Sequence, residues 1–395
     1  MRFESLAARE WTDPRTTRPH ILPIYATSSF DFEDIDQGIR IFSKEEKGHT
    51  YSRYGNPTVD ATAAKIAALE SFGSDIHALG LMANSGMAAV EIIVGGLLQL
   101  GDKILTQPTL YGGTTELLQK IVSKRGIEIK YANLADEDKV NSLLSADKSI
   151  RLVYLESPAN PTLSCVDIER LAAVVKSHHR FTAVDNTFAT PYLQQPLLLG
   201  VDFVLHSTTK YLNGHGNGTG GVIIGKDPQI FEDQLWNHMK LIGSNCSPFE
   251  AWLVYQGLKT LPLRMHKHST NALFVAYKLA EHKKVAFVNY PGLESHPDHL
   301  IAKKQMKMFG GMLSFELKGG MNDALKALNK LKLCSLAPTL GDVDTLVLHP
   351  ASSSHLKVDP AVRKNAGISD GLIRISVGIE DPQDILEDIL QAIED

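Results

Sequence analysis

Asp202-Phe203-Val204-Leu205-His206-Ser207-Thr208-Thr209-Lys210-Tyr211-Leu212-Asn213-Gly214-His215 is the stretch on which the reading of this chain turns. Its first four residues read as a short buried strand. Hydroxyls lead from that strand to a lysine, and a turn rich in Asn and Gly closes the run. A lysine held at a strand end among phosphate-seeking hydroxyls suits an amine that forms a Schiff base with a carbonyl cofactor. A surface lysine in a polar loop is the plainer alternative, since exposure is the norm for lysine. The company this run keeps decides between the two.

Upstream, short apolar runs alternate with helical patterns. Lys103–Thr106, Ile127–Tyr131, Leu152–Leu155, Thr182–Val184, Phe203–Leu205 and Val222–Ile224 read as strands, and Leu117–Val122 and Ile168–Val175 lie between them as helical segments. Val59, Ala63, Ile66, Ala67 and Leu69 have helical spacing, with Pro57 near the start of that helix. Such alternation predicts an α/β fold with a mostly parallel sheet and helices on both faces. Residues 1–56 carry Pro14, Pro19 and Pro23 and show little periodicity apart from Asp34 to Phe42, so they read as an extended arm. Downstream, Phe249–Ala280 is helical. Strand-like Met312–Leu317 and Leu372–Ser376, a helix near Ala324–Leu331 and a last helix from Pro382 predict a smaller α+β domain. The expected division is an arm over 1–56, a large domain over 57–260 and a small C-terminal domain over 261–395.

Composition narrows the possibilities. The chain has 395 residues, 43% of them hydrophobic and 22% charged, with 40 Lys and Arg against 45 Asp and Glu for a net charge of −5. That length supplies a sizeable core. A mildly acidic chain without a long basic block is a poor partner for nucleic acid or anionic membrane. Cys165, Cys246 and Cys334 are far apart and lack metal-ligand spacing, so they read as reduced thiols with no disulfide frame. Residues 1–10 have no apolar segment of the signal-peptide kind, and the apolar stretch from Val90 to Leu100 is short and broken by Gly. A cytoplasmic protein without a membrane span is expected.

Four further features sit, like the lysine run, at strand or loop ends. Asn84-Ser85-Gly86-Met87-Ala88-Ala89-Val90 brings small residues to a helix start, where free backbone N–H groups hold phosphate; close helix packing is the alternative. Thr109-Leu110-Tyr111-Gly112-Gly113-Thr114 places Tyr111 past a strand, where an aromatic ring stacks on a planar ligand or joins the core. Glu156-Ser157-Pro158-Ala159-Asn160-Pro161-Thr162 is a stiff turn presenting Asn160 as a donor or as a plain turn residue. Ala183-Val184-Asp185-Asn186-Thr187 ends an apolar strand on a carboxylate, and a buried carboxylate needs a partner such as a protonated pyridine nitrogen or an arginine. Ligands of open α/β sheets bind at the carboxyl ends of strands, so the joint occurrence of these features, in this order, points to one ligand site. No G-x-G-x-x-G follows a first strand and no Walker-type loop is present, which sets nucleotide-dependent chemistry aside.

With these motifs in view, the chain resembles the Cys/Met-metabolism (trans-sulfuration) family of pyridoxal-phosphate (PLP) enzymes. The likeness runs from Tyr51-Ser52-Arg53-Tyr54-Gly55-Asn56-Pro57-Thr58 to Arg374-Ile375-Ser376-Val377-Gly378-Ile379-Glu380. It implies the aspartate-aminotransferase-like fold of type I PLP-dependent transferases, PLP as cofactor and a small amino-acid substrate. It also implies roles. Lys210 would carry the cofactor, Asp185 would pair with its pyridine nitrogen, Tyr111 would stack on the ring and assist proton transfer, and Asn160 would lie near the phenolic oxygen. Gly86, Met87, Ser207 and Thr209 would hold the phosphate, joined by Tyr51 and Arg53 of a neighbouring subunit, so a homo-oligomer, at least a dimer and usually a tetramer, is expected. Arg374 would clamp the substrate carboxylate with Thr339 beside it.

Within the family the resemblance points to chemistry at the γ carbon, by elimination as in methionine γ-lyases or replacement as in cystathionine γ-synthases. Cystathionine β- and γ-lyases and homoserine-ester sulfhydrylases are the alternatives, and a non-catalytic PLP-fold binding protein is the remote one. Gly113 stands where methionine γ-lyases usually carry cysteine. Pro338, in Pro338-Thr339-Leu340-Gly341-Asp342, stands where cystathionine γ-lyases usually carry glutamate. The run His349-Pro350-Ala351-Ser352-Ser353-Ser354-His355 is similar to a stretch common in methionine γ-lyases and sulfhydrylases.

Overall fold

The expected strands form and join two sheets. The computed structural model describes residues 1–9, 19–354, 356, 363 and 367–394; Pro14 and His355 lie outside the described residues. The large sheet contains β1 (Leu79–Ala83), β2 (Lys103–Thr106), β3 (Glu128–Tyr131), β4 (Ile150–Glu156), β5 (Phe181–Asp185), β6 (Phe203–Ser207) and β7 (Gly221–Gly225), in the order β1-β7-β6-β5-β4-β2-β3. Its centre is parallel, and β7 runs antiparallel between β6 and β1. The second sheet contains β8 (Val285–Asn289), β9 (Met312–Leu317), β10 (Ser335–Leu336), β11 (Leu346–Leu348) and β12 (Leu372–Ser376), in the order β10-β11-β12-β9-β8.

Both faces of the large sheet are covered at its centre, which is why β4, β5 and β6 read as apolar runs. Leu152 and Tyr154 of β4 join the cluster on one face, while Val153 and Leu155 join the cluster on the other. Each fully buried Ile, Val or Leu contributes about 1.5–3 kcal/mol. The helix Pro57–Glu70 starts as its sequence demands, with Pro57 in the first turn and the Asn56 side chain accepting from the Thr58 N–H. The helical region after residue 248 is two helices, Pro248–Leu258 and Leu261–Ala280. The second of these packs on β8, β9 and the last helix, Pro382–Glu394. Within the arm, Phe3–Ala8 and Ile35–Phe42 are helical, and the Asp34 side chain caps the latter.

β1, β8, β10 and β11 were not expected. β1 reads Leu-Gly-Leu-Met-Ala, which has no β-branched residue. Its glycine has a packing reason: a Cβ on Gly80 would lie 2.4 Å from the Ala63 carbonyl oxygen, so only glycine lets the helix Pro57–Glu70 come this close. Among the described residues no helix is long and apolar enough to cross a membrane.

Candidate active site

A cavity of about 250 Å³ opens at the carboxyl ends of β4, β5 and β6 and is closed on its far side by Pro338, Leu340 and Arg374. One end is an anion cradle. The helix Gly86–Leu97 begins here, and the Ser85 hydroxyl caps it by accepting from the Ala88 N–H at 3.1 Å. Helix geometry leaves the N–H groups of Gly86 and Met87 without an intrahelical acceptor, aimed where the helix dipole favours negative charge. Ser207, the last residue of β6, packs so tightly against this helix start that a Cβ on Gly86 would lie 2.7 Å from Ser207 Cβ. Ser207 N donates to Thr187 Oγ1 at 2.9 Å, which ties the ends of β5 and β6 together. Thr209 Oγ1 accepts from Gly220 N at 3.1 Å.

Lys210 leaves β6 in a tight turn fixed by two carbonyl clamps. Arg264, from the helix Leu261–Ala280, donates to Tyr211 O and to Gly257 O, each at 2.7 Å. Gly341, with φ +83°, passes so close that a Cβ there would lie 2.7 Å from Tyr211 N. Lys210 Nζ donates to Thr339 Oγ1 at 2.8 Å. Burial, and then the Arg374 charge, pull its amine down to about 8, with Asp342 opposing. Arg374, in the middle of β12, is 5% exposed. It donates to Thr339 O at 2.9 Å and to Asn160 Oδ1 at 3.3 Å, and its buried Nε has no partner among the described residues. Burial lowers its guanidinium to about 10, so it stays charged at neutral pH. A buried guanidinium without a carboxylate partner is costly, and the arrangement suits an anionic ligand that brings one.

Asp185 ends β5 beside Glu156, which ends β4 in direct register with it. Thr187 donates both its N–H (3.0 Å) and its hydroxyl (2.5 Å) to Asp185 Oδ1, and Asp185 lines the cavity. Glu156 accepts the Tyr111 N–H at 2.8 Å. Burial, and then the Asp185 charge, push the Glu156 carboxyl well above the ordinary range. Burial also raises Asp185, against the Thr187 hydrogen bonds. The pair is therefore arranged for one anion, with Glu156 the better holder of a proton. Tyr111 lies at the start of the helix Gly112–Leu117, 48% exposed, its ring over Gly113, where a Cβ would lie 2.6 Å from Tyr111 Cε1.

Gly86, Met87, Tyr111, Asn160, Asp185, Ser207, Thr209, Lys210 and Arg374 all line this one cavity, and Thr339 bridges Lys210 to Arg374. Tyr51 and Arg53 do not line it; Arg53 donates instead to the Lys240 carbonyl. Sequence reasoning left Glu156 and Thr187 without a role, although both stand in the quoted motifs. Their signal was position alone, a carboxylate and a hydroxyl at the ends of neighbouring strands. The donor set fits PLP. A helix-end cradle with two hydroxyls takes a phosphate, a buried amine of lowered basicity takes an aldehyde, and a buried carboxylate in the cavity lining takes a protonated ring nitrogen.

A family model described as Cys/Met metabolism PLP-dependent enzyme matches residues 5–394. An L-methionine gamma-lyase of Fusobacterium nucleatum is 44% identical over 94% of this chain and 93% of its own. The crystal structure of a cystathionine gamma synthase from Xanthomonas oryzae, in complex with aminoacrylate and cysteine, superposes with a TM-score of 0.92 at 35% identity, covering 100% of this chain and 98% of that one. A Campylobacter jejuni structure that carries N'-pyridoxyl-lysine-5'-monophosphate superposes with a TM-score of 0.93 at 32% identity, covering 100% of both chains. The chain thus belongs to the Cys/Met-metabolism family of PLP-dependent enzymes, with PLP as its cofactor and carbon–sulfur lysis or transfer as its chemistry.

Proposed function

We propose that this enzyme acts at the γ carbon of methionine-like thioether amino acids, by α,γ-elimination. With methionine the balance is methionine plus water giving α-ketobutyrate, methanethiol and ammonia. One observation carries the choice of substrate: the described cavity lining offers a single guanidinium, Arg374, and so takes a single carboxylate. The same wall carries Pro338 and Leu340. Cystathionine would bring a second carboxylate and a second ammonium to this wall, and charges buried without partners are costly.

PLP supplies, when bound, the electron sink for breaking bonds at the substrate α carbon. The residues of the chain do the rest. Arg374 binds the substrate carboxylate in its planar fork, held in place by Thr339 O and Asn160 Oδ1. Asp185 would keep a proton on the ring nitrogen, and Glu156, neutral beside it, fixes the Tyr111 main chain. Lys210 Nζ, with its basicity lowered to about 8, takes and returns protons near neutral pH, steered by Thr339 Oγ1. Tyr111, in the cavity lining, would cover the ring and pass a proton to the departing sulfur. Gly86, Met87, Ser207 and Thr209 would hold the phosphate.

The same reading assigns Tyr51 and Arg53 to the phosphate of a neighbouring subunit, making the active unit at least a dimer and, by family resemblance, a tetramer. Two features support it. Arg53 stands outside its own cavity, and the arm helix Ile35–Phe42 exposes Ile35, Ile39 and Phe42. The substrate test is a product assay for α-ketobutyrate, pyruvate and thiol across methionine, cystathionine, homocysteine and O-acyl-homoserines. Methionine should give α-ketobutyrate and methanethiol with the highest kcat/KM. A preference for cystathionine, or pyruvate as the main product, overturns the assignment. Mixing Arg53→Ala with Lys210→Ala chains should restore activity through hybrid dimers that hold one intact site. No recovery after verified subunit exchange refutes the shared site.

A further inference from the structure

Arg53 sits on a segment with little core of its own, yet its guanidinium is tightly held. It lies 4.8 Å from the Tyr54 ring centroid and 5.7 Å from that of Tyr51, and Nη1 donates to the Lys240 carbonyl. That carbonyl is available because the helix Asn237–Ile242 ends one residue before Gly243, in the left-handed conformation at φ +75°, and carbonyls of a last turn lack intrahelical donors. Tyr54, on whose ring Arg53 rests, is pinned in turn by Trp236. The indole Nε1 donates to Tyr54 O at 2.6 Å, and the two rings meet edge to face, 6.5 Å apart at 72°. Trp236 is itself held by cations. Lys240 Nζ stands 4.1 Å from its ring and donates to Asn237 Oδ1 at 2.7 Å. Lys44, which pairs with Glu232, adds a second cation 5.8 Å from the same ring. Trp236 closes a π-helical turn, Phe231–Trp236, a wider winding that often accompanies functional sites.

The arrangement is a chain of contacts, from cations to indole to tyrosine carbonyl to arginine. Arg53 apart, none of its members has a part in the chemistry described above. It flanks a second cavity, of about 390 Å³, lined among others by Arg53, Tyr54, Phe231, Trp236 and Met239. A segment next to open space needs a fixed point if its arginine is to be presented at one angle, and a pre-set side chain binds with less loss of conformational freedom.

We propose that Trp236 is a positioning residue for cofactor retention: by holding Tyr54 it sets the geometry in which Arg53 meets the cofactor phosphate. The inference rests on the reading that Arg53 serves that phosphate in a neighbouring subunit. The conservative variant Trp236→Phe keeps an aromatic face for Lys240 and removes only the donor to Tyr54 O. The test is titration of apoenzyme with PLP, and with pyridoxal, which lacks the phosphate. The proteins are the wild type, Trp236→Phe, Arg53→Ala and the double variant, with far-UV circular dichroism and sedimentation checked for each.

Trp236→Phe should raise the PLP dissociation constant by about two- to tenfold, the weight of one hydrogen bond. It should leave pyridoxal binding unchanged, and add nothing in the Arg53→Ala background. A loss that persists in the double variant, or one equal for pyridoxal and PLP, marks a general structural role and overturns the proposal, while Arg53 keeps its role. Wild-type PLP affinity in Trp236→Phe, with Arg53→Ala impaired, has the same consequence. Wild-type affinity in Arg53→Ala removes the reading beneath it.

Discussion

Lys210 in the apoenzyme is an amine in a place that resists its charge, and replacing it should stabilise the cofactor-free protein in a pH-dependent way. Burial lowers the amine from 10.5 to about 8. At 1.36 kcal/mol per tenfold in proton affinity, that depression corresponds to about 3 kcal/mol. Below pH 8 the lysine is protonated in both folded and unfolded chains, and the folded chain bears the full cost. Between pH 8 and 10.5 the folded chain releases its proton first, so the cost shrinks, and above 10.5 it is gone. Lys210→Met removes the cost but also the hydrogen bond to Thr339 Oγ1, a loss of about 1 kcal/mol. The variant apoenzyme should therefore be more stable than the wild type by about 2 kcal/mol at pH 7. The advantage should fade through pH 9 and reverse to a deficit of about 1 kcal/mol above pH 10.5. Urea unfolding of both apoproteins at one protomer concentration, from pH 7 upward, measures the difference. A difference that is flat with pH, or that grows as pH rises, refutes the claim that the cavity suppresses the charge of this amine.

Three other outcomes follow from the geometry. Arg374→Ala should cost about 2–5 kcal/mol in kcat/KM, expressed mainly as a higher KM, with the cofactor absorbance band unchanged; an unaltered KM for every amino acid tested removes Arg374 from the substrate. Gly86→Ala should weaken PLP binding while leaving the fold in place, because its Cβ would lie 2.7 Å from Ser207 Cβ and force the cradle open; unchanged PLP affinity in an apoenzyme titration means the phosphate sits elsewhere. Cys165, Cys246 and Cys334 are buried, and burial raises all three thiols, Cys246 to about 12. A thiol reagent at pH 8 should therefore label none of them until urea is added, and prompt labelling of the native protein contradicts their burial.

What could be read from the residues alone was local. β2, β9 and β12 have the boundaries that their apolar runs mark, and Ser207, Thr209 and Lys210 stand where a strand ends, because a parallel sheet delivers its strand ends to one edge. The misses are long-range. β1 has weak strand character of its own and is a strand because β7 pairs with it and Gly80 admits a helix. Glu156 looks like a turn residue until the register of β4 on β5 sets it against Asp185; burial in the folded sheet, and then that neighbour, make it a group that holds its proton. Thr339 meets Lys210 across 129 positions, and Trp236 meets Tyr54 across 182. Neither spacing leaves a periodicity in the sequence. Chemistry-bearing residue types at strand ends announce a site, but the groups that tune it are chosen by packing between distant segments. Arg53 shows the division most plainly. Its segment can be recognised as an arm from composition, while what aims it, an indole N–H and a helix-end carbonyl, exists only once the helix that follows β7 has folded against it.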